Sequence, residues 1–199
     1  MVENTHAGNG MPKKLAPLLL AVLLLAGILY LVRSYGEAPA REVVQYSPEV
    51  MAKISLPGGI ELSVAEGAFN FKVAQFLADP ADKVLPRAFV FDHLGFESAS
   101  TRITPGSEQT LKDLTAILKA YPAVTVRLEG HTDSMGAKEA NKMLSQNRAD
   151  AIRATLVASG VDAKRMETAG WGGERPIASN DIDEGRAKNR RLEMIVLTK

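Results

Sequence analysis

The sequence predicts an α+β fold, a mixed sheet with helices packed on it, preceded by one N-terminal transmembrane helix. Three patterns carry that expectation. Leu15 to Val32 is an uninterrupted apolar run of eighteen residues. Val124, Val126 and Leu128, and later Leu192, Met194 and Val196, alternate with other residues as half-buried strands do. Between them, Leu111, Leu114, Leu118 and Tyr121 recur at the spacing of one helical face.

In chain order, residues 1–14 read as a cytoplasmic tail and 15–32 as the anchor. As a helix the anchor would reach ~27 Å, close to a bilayer core of ~30 Å. Lys13 and Lys14 precede it, whereas Arg33 and Arg41 after it are offset by Glu37 and Glu42, which favours a cytoplasmic N-terminus. A cleaved signal peptide is the competing reading, with Ala38-Pro39-Ala40 as a small-residue cleavage site, but the apolar run exceeds the usual length. The expectation is a single-pass chain, in the inner membrane if uncleaved, with its C-terminal part in the periplasm.

Residues 33–50 read as a linker, polar with two prolines and a glycine. Residues 51–86 form a small accessory segment: Pro57-Gly58-Gly59 parts two alternating runs into a hairpin, and Phe69, Val73, Phe76 and Leu77 follow at helical spacing. From residue 87 to 199 one larger domain is expected. Ala88–Phe91 is its first strand, and Thr104-Pro105 starts a helix that Pro122 stops. A second helix is predicted from about Ala137 to Ser159, capped by Gly160. Met166–Ala169 reads as a short strand ended by Gly170-Trp171-Gly172-Gly173, and Leu192–Val196 as the last strand.

Composition narrows the chemistry. The 199 residues carry a net charge of +1, so no general attraction to polyanions, and no nucleic-acid partner, is expected. Zero cysteines remove disulfides, thiolate metal sites, thiol catalysis and a lipidated N-terminal cysteine.

The most informative stretch is Gly130-His131-Thr132-Asp133-Ser134-Met135-Gly136, a loop of small and polar residues between a strand and a long helix. On that helix Asn141, Ser145 and Arg148 share a face with Leu144 and Ile152. Should Asp133 and Arg148 converge, they make a two-ended receptor in which the acid takes an ammonium and the guanidinium fork takes a carboxylate. An internal salt bridge between them, or two solvated surface charges, is the plainer alternative.

An enzyme would have to use His131, Asp133, Ser134, Ser145 and His93, yet neither a G-x-S-x-G elbow nor an HExxH motif is present. His93, His131 and Asp133 fit no standard metal spacing. No catalysis, metal or cofactor is expected. An ion-driven stator would need a carboxylate in its membrane helix, and residues 15–32 have none.

Gly130-His131-Thr132-Asp133, Gly136, Asn141, Leu144-Ser145 and Arg148-Ala149 resemble the signature of the OmpA-like C-terminal domain family. The run Gly170-Trp171-Gly172, Pro176, Asn180, Glu184-Gly185-Arg186 and Asn189-Arg190-Arg191 is similar to that family's second signature. The resemblance spans about residues 88–199 and implies a βαβαβ-type mixed sheet that binds peptidoglycan without breaking it. The family occurs in outer-membrane proteins, the peptidoglycan-associated lipoprotein and flagellar stator subunits.

Carried onto this chain, the resemblance implies that Asp133 accepts the free ammonium of diaminopimelate and Arg148 grips the carboxylate on the same carbon. Thr132, Asn141 and the backbone near Gly136 would support them, and Phe96-Glu97 would match the aromatic-acid step, with Glu97 where Asp is commoner. Arg186, Asn189 and Arg190 would brace the site, against the alternative of a solvated helix end near its dipole. Trp171 stands where Tyr or Phe is usual, and Met135 where a β-branched residue is. The implied partners are peptidoglycan, the bilayer through residues 15–32, and an envelope complex or homodimer. A stator-like or secretion-system subunit using the same wall-binding domain is the alternative.

Overall fold

A computed structural model describes residues 50–92, 94–97 and 100–199. The predicted tail 1–14, membrane segment 15–32 and the linker up to residue 49 lie outside the described residues, as does His93. Among the described residues no helix is long and apolar enough to cross a membrane.

Strands β1 (Met51–Leu56) and β2 (Ile60–Ala65) pair antiparallel about the Pro57-Gly58-Gly59 turn, with Leu56 opposite Ile60. Helix α1 (Phe69–Ala78) follows, its apolar stripe Phe69, Val73, Phe76 and Leu77 buried. Then come β3 (Arg87–Val90), a 3-10 turn (Pro105–Ser107), α2 (Glu108–Ala120), β4 (Thr125–His131), α3 (Lys138–Ala158), β5 (Met166–Gly172), α4 (Asp183–Asn189) and β6 (Leu192–Thr198). The larger sheet has the order β3-β6-β4-β5, with β4 and β5 parallel and the other pairs antiparallel. It is the mixed sheet with packed helices that the sequence predicts, and α3 is the crossover joining its parallel pair.

Leu128 pairs with Met194 and Val126 with Val196, so these side chains share the face on which α2 and α3 pack. Residues 51–86 feed the same core. Phe69 stacks on Phe91 with centroids 3.9 Å apart, and the Phe69 amide at the start of α1 donates to Asp92 Oδ2 at 2.7 Å. At the other end of α1, Lys199 Nζ donates to the Phe76 and Asp79 carbonyls, where a cation complements the helix terminus. Leu56, Val73 and Leu77 therefore belong to one cluster with Leu114, Ile117 and Met194.

Two predicted boundaries move, each because a tertiary contact outweighs the local signal. Thr104-Pro105 opens the 3-10 turn rather than α2, because Thr104 and Ser107 direct their hydroxyls at each other and at Gly95 instead of capping the helix. Strand β5 runs on through Gly172 rather than ending at Ala169, since Gly170 and Gly172 continue the pairing with Gly130 and His131.

That extension rests on close packing. The buried stripe of α3 is Ser145, Ala149, Ile152 and Leu156, small at the end nearest the loop. A Cβ on Gly130 would lie 2.1 Å from the Ser145 carbonyl oxygen, and one on Gly170 would lie 2.3 Å from the Gln146 nitrogen. Ser145 Oγ then accepts from the Gly172 amide at 2.9 Å while donating to the Lys142 carbonyl. Gly130→Ala should accordingly lower stability by about 2 kcal/mol or more. Gly106→Ala, where an added Cβ meets nothing within 4 Å, should stay within about 0.5 kcal/mol of wild type in the same urea titration.

Candidate functional site

The loop between β4 and α3 is held from three sides. Thr132 is buried; its amide donates to the Gly172 carbonyl at 2.8 Å and its hydroxyl to the Asp133 carbonyl at 2.8 Å. Asp133 Oδ1 accepts from the Met135 amide, a turn in which Asp bonds its own chain two residues on. Gly136 takes φ of 89°, a conformation that side-chain-bearing residues rarely adopt, and so turns the chain into α3. Asn141, one turn into α3, donates back to the Met135 carbonyl at 2.8 Å and the Asp133 carbonyl at 3.4 Å.

The third side comes from the second signature. Asn189 is fully buried: its Oδ1 accepts from the Ile177 and Ala178 amides, and its Nδ2 donates to the Ala178 carbonyl and to Asn180 Oδ1. Asn180 Oδ1 in turn accepts from the Ser134 amide at 3.2 Å. Arg186 holds the Asn180 carbonyl and pairs with Asp183. Asn180, present in the motif but not singled out by the sequence, is thus the link between this segment and the loop.

Asp133 finds its ionic partner in Arg190, Nη1 to Oδ2 at 2.7 Å, and not in Arg148. Burial alone would raise the Asp133 pKa, but the Arg190 hydrogen bond, the Met135 amide and the charges of Arg190 and Arg186 together hold it below the usual carboxylate value. Arg148 lies elsewhere on the same feature. Its Nε donates to the Ser100 carbonyl at 3.1 Å, and its guanidinium sits 5.0 Å from the centroid of the Phe96 ring. Among the described residues it has no carboxylate partner, and burial lowers its pKa. Arg148 and Arg190 both line a cavity of about 330 Å³ with Leu94, Gly95, Phe96, His131, Arg191 and Leu192. Glu97 turns instead to Arg102, at 3.6 Å, and is not among the described residues lining that cavity.

Below the cavity is a charge network on the sheet face away from α2 and α3. Glu129 and Glu193 oppose each other across β4 and β6, with His131 Nε2 3.9 Å from a carboxylate oxygen of each. Three ligand-type side chains meet here, yet guanidinium groups already engage the carboxylates: Arg127 and Arg175 on Glu129 at 2.6 and 3.4 Å, and Arg191 on Glu193 at 2.6 Å. Arg175 also lies over Trp171, 3.3 Å from its ring centroid. A divalent cation would add charge to a cluster in which arginines balance the acids. Ser145 Oγ is likewise engaged, by the Gly172 amide and the Lys142 carbonyl.

Residues 95–190 match the OmpA family. The chain belongs to the OmpA family through this domain. The OmpA domain is similar to the probable lipoprotein YiaD of Escherichia coli K12, 43% identical over 103 residues, covering 52% of this chain and 47% of that protein. It is also similar to the peptidoglycan-associated lipoprotein of Brucella melitensis, 39% identical over 107 residues, covering 54% of this chain and 64% of the relative. The chain thus spans about half to two thirds of the length of these curated relatives. In fold it resembles the periplasmic domain of Helicobacter pylori MotB, with a TM-score of 0.52 at 20% identity, covering 75% of this chain and 88% of that one. That share exceeds the residues matched to the OmpA family, so the fold likeness extends beyond the OmpA domain itself.

His131 gives the site a pH signature. Burial first, and Arg191 next, lower its pKa from 6.5 to about 4, against the opposing pull of Glu193 and Glu129. The unfolded chain therefore takes up a proton that the folded chain refuses, and the stability present above pH 6.5 is lost as pH falls toward about 4. His131→Gln should flatten that stretch of the stability curve; a variant with wild-type slope there would show that His131 is not the group titrating.

Proposed function

We propose that this chain binds peptidoglycan non-covalently and tethers the cell envelope to the wall by recognising the diaminopimelate of the peptide stem. The observation that carries this reading is the Arg148 guanidinium, half-buried over Phe96 in a cavity and without a carboxylate partner among the described residues. A charge so placed favours a bound carboxylate, which a planar fork can hold by two hydrogen bonds. Asp133, one arginine away, is the group suited to the ammonium on the same carbon. The relative that is 39% identical is named for its association with peptidoglycan, which supports the same ligand class.

Thr132, Asn141 and Gly136 act in this reading by shaping the loop that carries Asp133, and Arg186 and Asn189 by bracing it through Asn180. Phe96 supplies the floor under Arg148. Glu97, which turns to Arg102, takes no direct part in this reading. The predicted anchor of residues 15–32 would hold the membrane, with the OmpA domain in the periplasm, and residues 33–50 would span the interval. An envelope complex or a homodimer is compatible with that arrangement.

Arg148→Ala and Asp133→Ala in the full chain should each abolish pull-down on purified peptidoglycan and leave the circular dichroism spectrum unchanged. Retained binding in both variants would refute the assignment. A wall whose stems carry lysine in place of diaminopimelate lacks the carboxylate that Arg148 holds, and should bind more weakly by at least ~2 kcal/mol.

A further inference from the structure

Among the described residues the charges at the site do not balance, and the imbalance specifies the ligand further. Arg191 is committed to Glu193 at 2.6 Å and to the Arg175 carbonyl at 3.1 Å, so it adds no uncompensated charge. Arg148 and Arg190 then contribute two positive charges to the site, and Asp133 one negative. A ligand offering one ammonium and one carboxylate is neutral and leaves that surplus in place.

Partner exchange makes the point sharper. Asp133 Oδ2 is occupied by Arg190, so an ammonium that claims Asp133 draws it away from that guanidinium. Arg190 has half its side-chain surface in solvent and is free to reorient, whereas Asp133 is 14% exposed and held in its turn by Met135. Relieving Arg190 requires a second anion within its reach.

We propose that Arg190 reads a second carboxylate, so that the site prefers a ligand carrying one ammonium and two free carboxylates. Resting on the diaminopimelate reading above, this selects peptide stems that end at the diamino diacid with its stem carboxyl free. Arg148 and Asp133 hold the zwitterionic end, and Arg190, released from Asp133, holds the carboxylate at the other end. Three charges on the protein then meet three opposite charges on the ligand.

Calorimetric titration of the full chain in detergent tests this with two probes: N-acetyl-L-Ala–D-isoGln–meso-diaminopimelate with its stem carboxyl free, which carries one ammonium and two carboxylates, and the same peptide with that carboxyl amidated. Wild type should bind the amide at least about fivefold more weakly, the order expected for one partly exposed charge pair. Arg190→Gln should bind the two peptides within about twofold of each other, and Arg190→Lys should keep part of the preference. Equal wild-type affinities overturn the proposal, even if Arg190→Gln does not fold, and so does a preference that survives in Arg190→Gln. A wild-type chain that binds neither peptide overturns the diaminopimelate reading itself.

Discussion

Backbone-to-backbone proximity between α3 and the loop ends of β4 and β5 is the constraint on which the site depends. Gly130 and Gly170 leave no room for a side chain beneath Ser145 and Gln146, and Ser145 Oγ joins the helix to the Gly172 amide. Small residues on both surfaces bring the helix against the strands at one end, while Ile152 and Leu156 fill the wider gap at the other. Asn141 and Arg148 belong to the tightly seated end. Their positions relative to the Asp133 loop are therefore set by main-chain contact, which tolerates far less variation than a layer of large side chains.

Polar satisfaction does for the loop what glycine packing does for the helix. Asn189, wholly enclosed, uses both ends of its amide on the segment Ile177–Asn180, and Asn180 passes that order to the Ser134 amide. The result is a carboxylate with a defined direction, held ionised by neighbouring arginines. The cluster of Glu129, His131 and Glu193 is satisfied only in part, since both ring nitrogens of His131 are buried without a hydrogen-bond partner among the described residues. There guanidinium groups pair with both acids, whereas at Arg148 the guanidinium has aromatic and carbonyl neighbours but no anion among the described residues.

Much of this was legible in the chain. Alternation marked β4 and β6, helical spacing marked α1 and α2, and the Gly-His-Thr-Asp loop with its following helix drew attention to Asp133 and Arg148. What escaped was contact at long range. The pairing of Asp133 with Arg190 spans 57 positions, and that of Arg148 with the Ser100 carbonyl spans 48. Neither leaves a periodic trace. The family resemblance implied a site role for Glu97 through the aromatic-acid step it makes with Phe96, but an antiparallel bridge between Phe96 and Ile103 brings Arg102 beside it. Residues 51–86 likewise showed their own hairpin and helix, with nothing in their local pattern to say that Phe69 would stack on Phe91.

The sequence alone determined the alternation of strands and helices, the absence of cysteine chemistry, the apolar run at 15–32 and the residue types available for recognition. Those properties are local or compositional, and periodicity or counting reads them directly. Tertiary structure decided which arginine neutralises Asp133, which one is left facing a cavity, and how closely a helix may approach a strand. These are properties of pairs of residues brought together by folding, and an ion pair carries no mark in either partner until geometry excludes the alternatives.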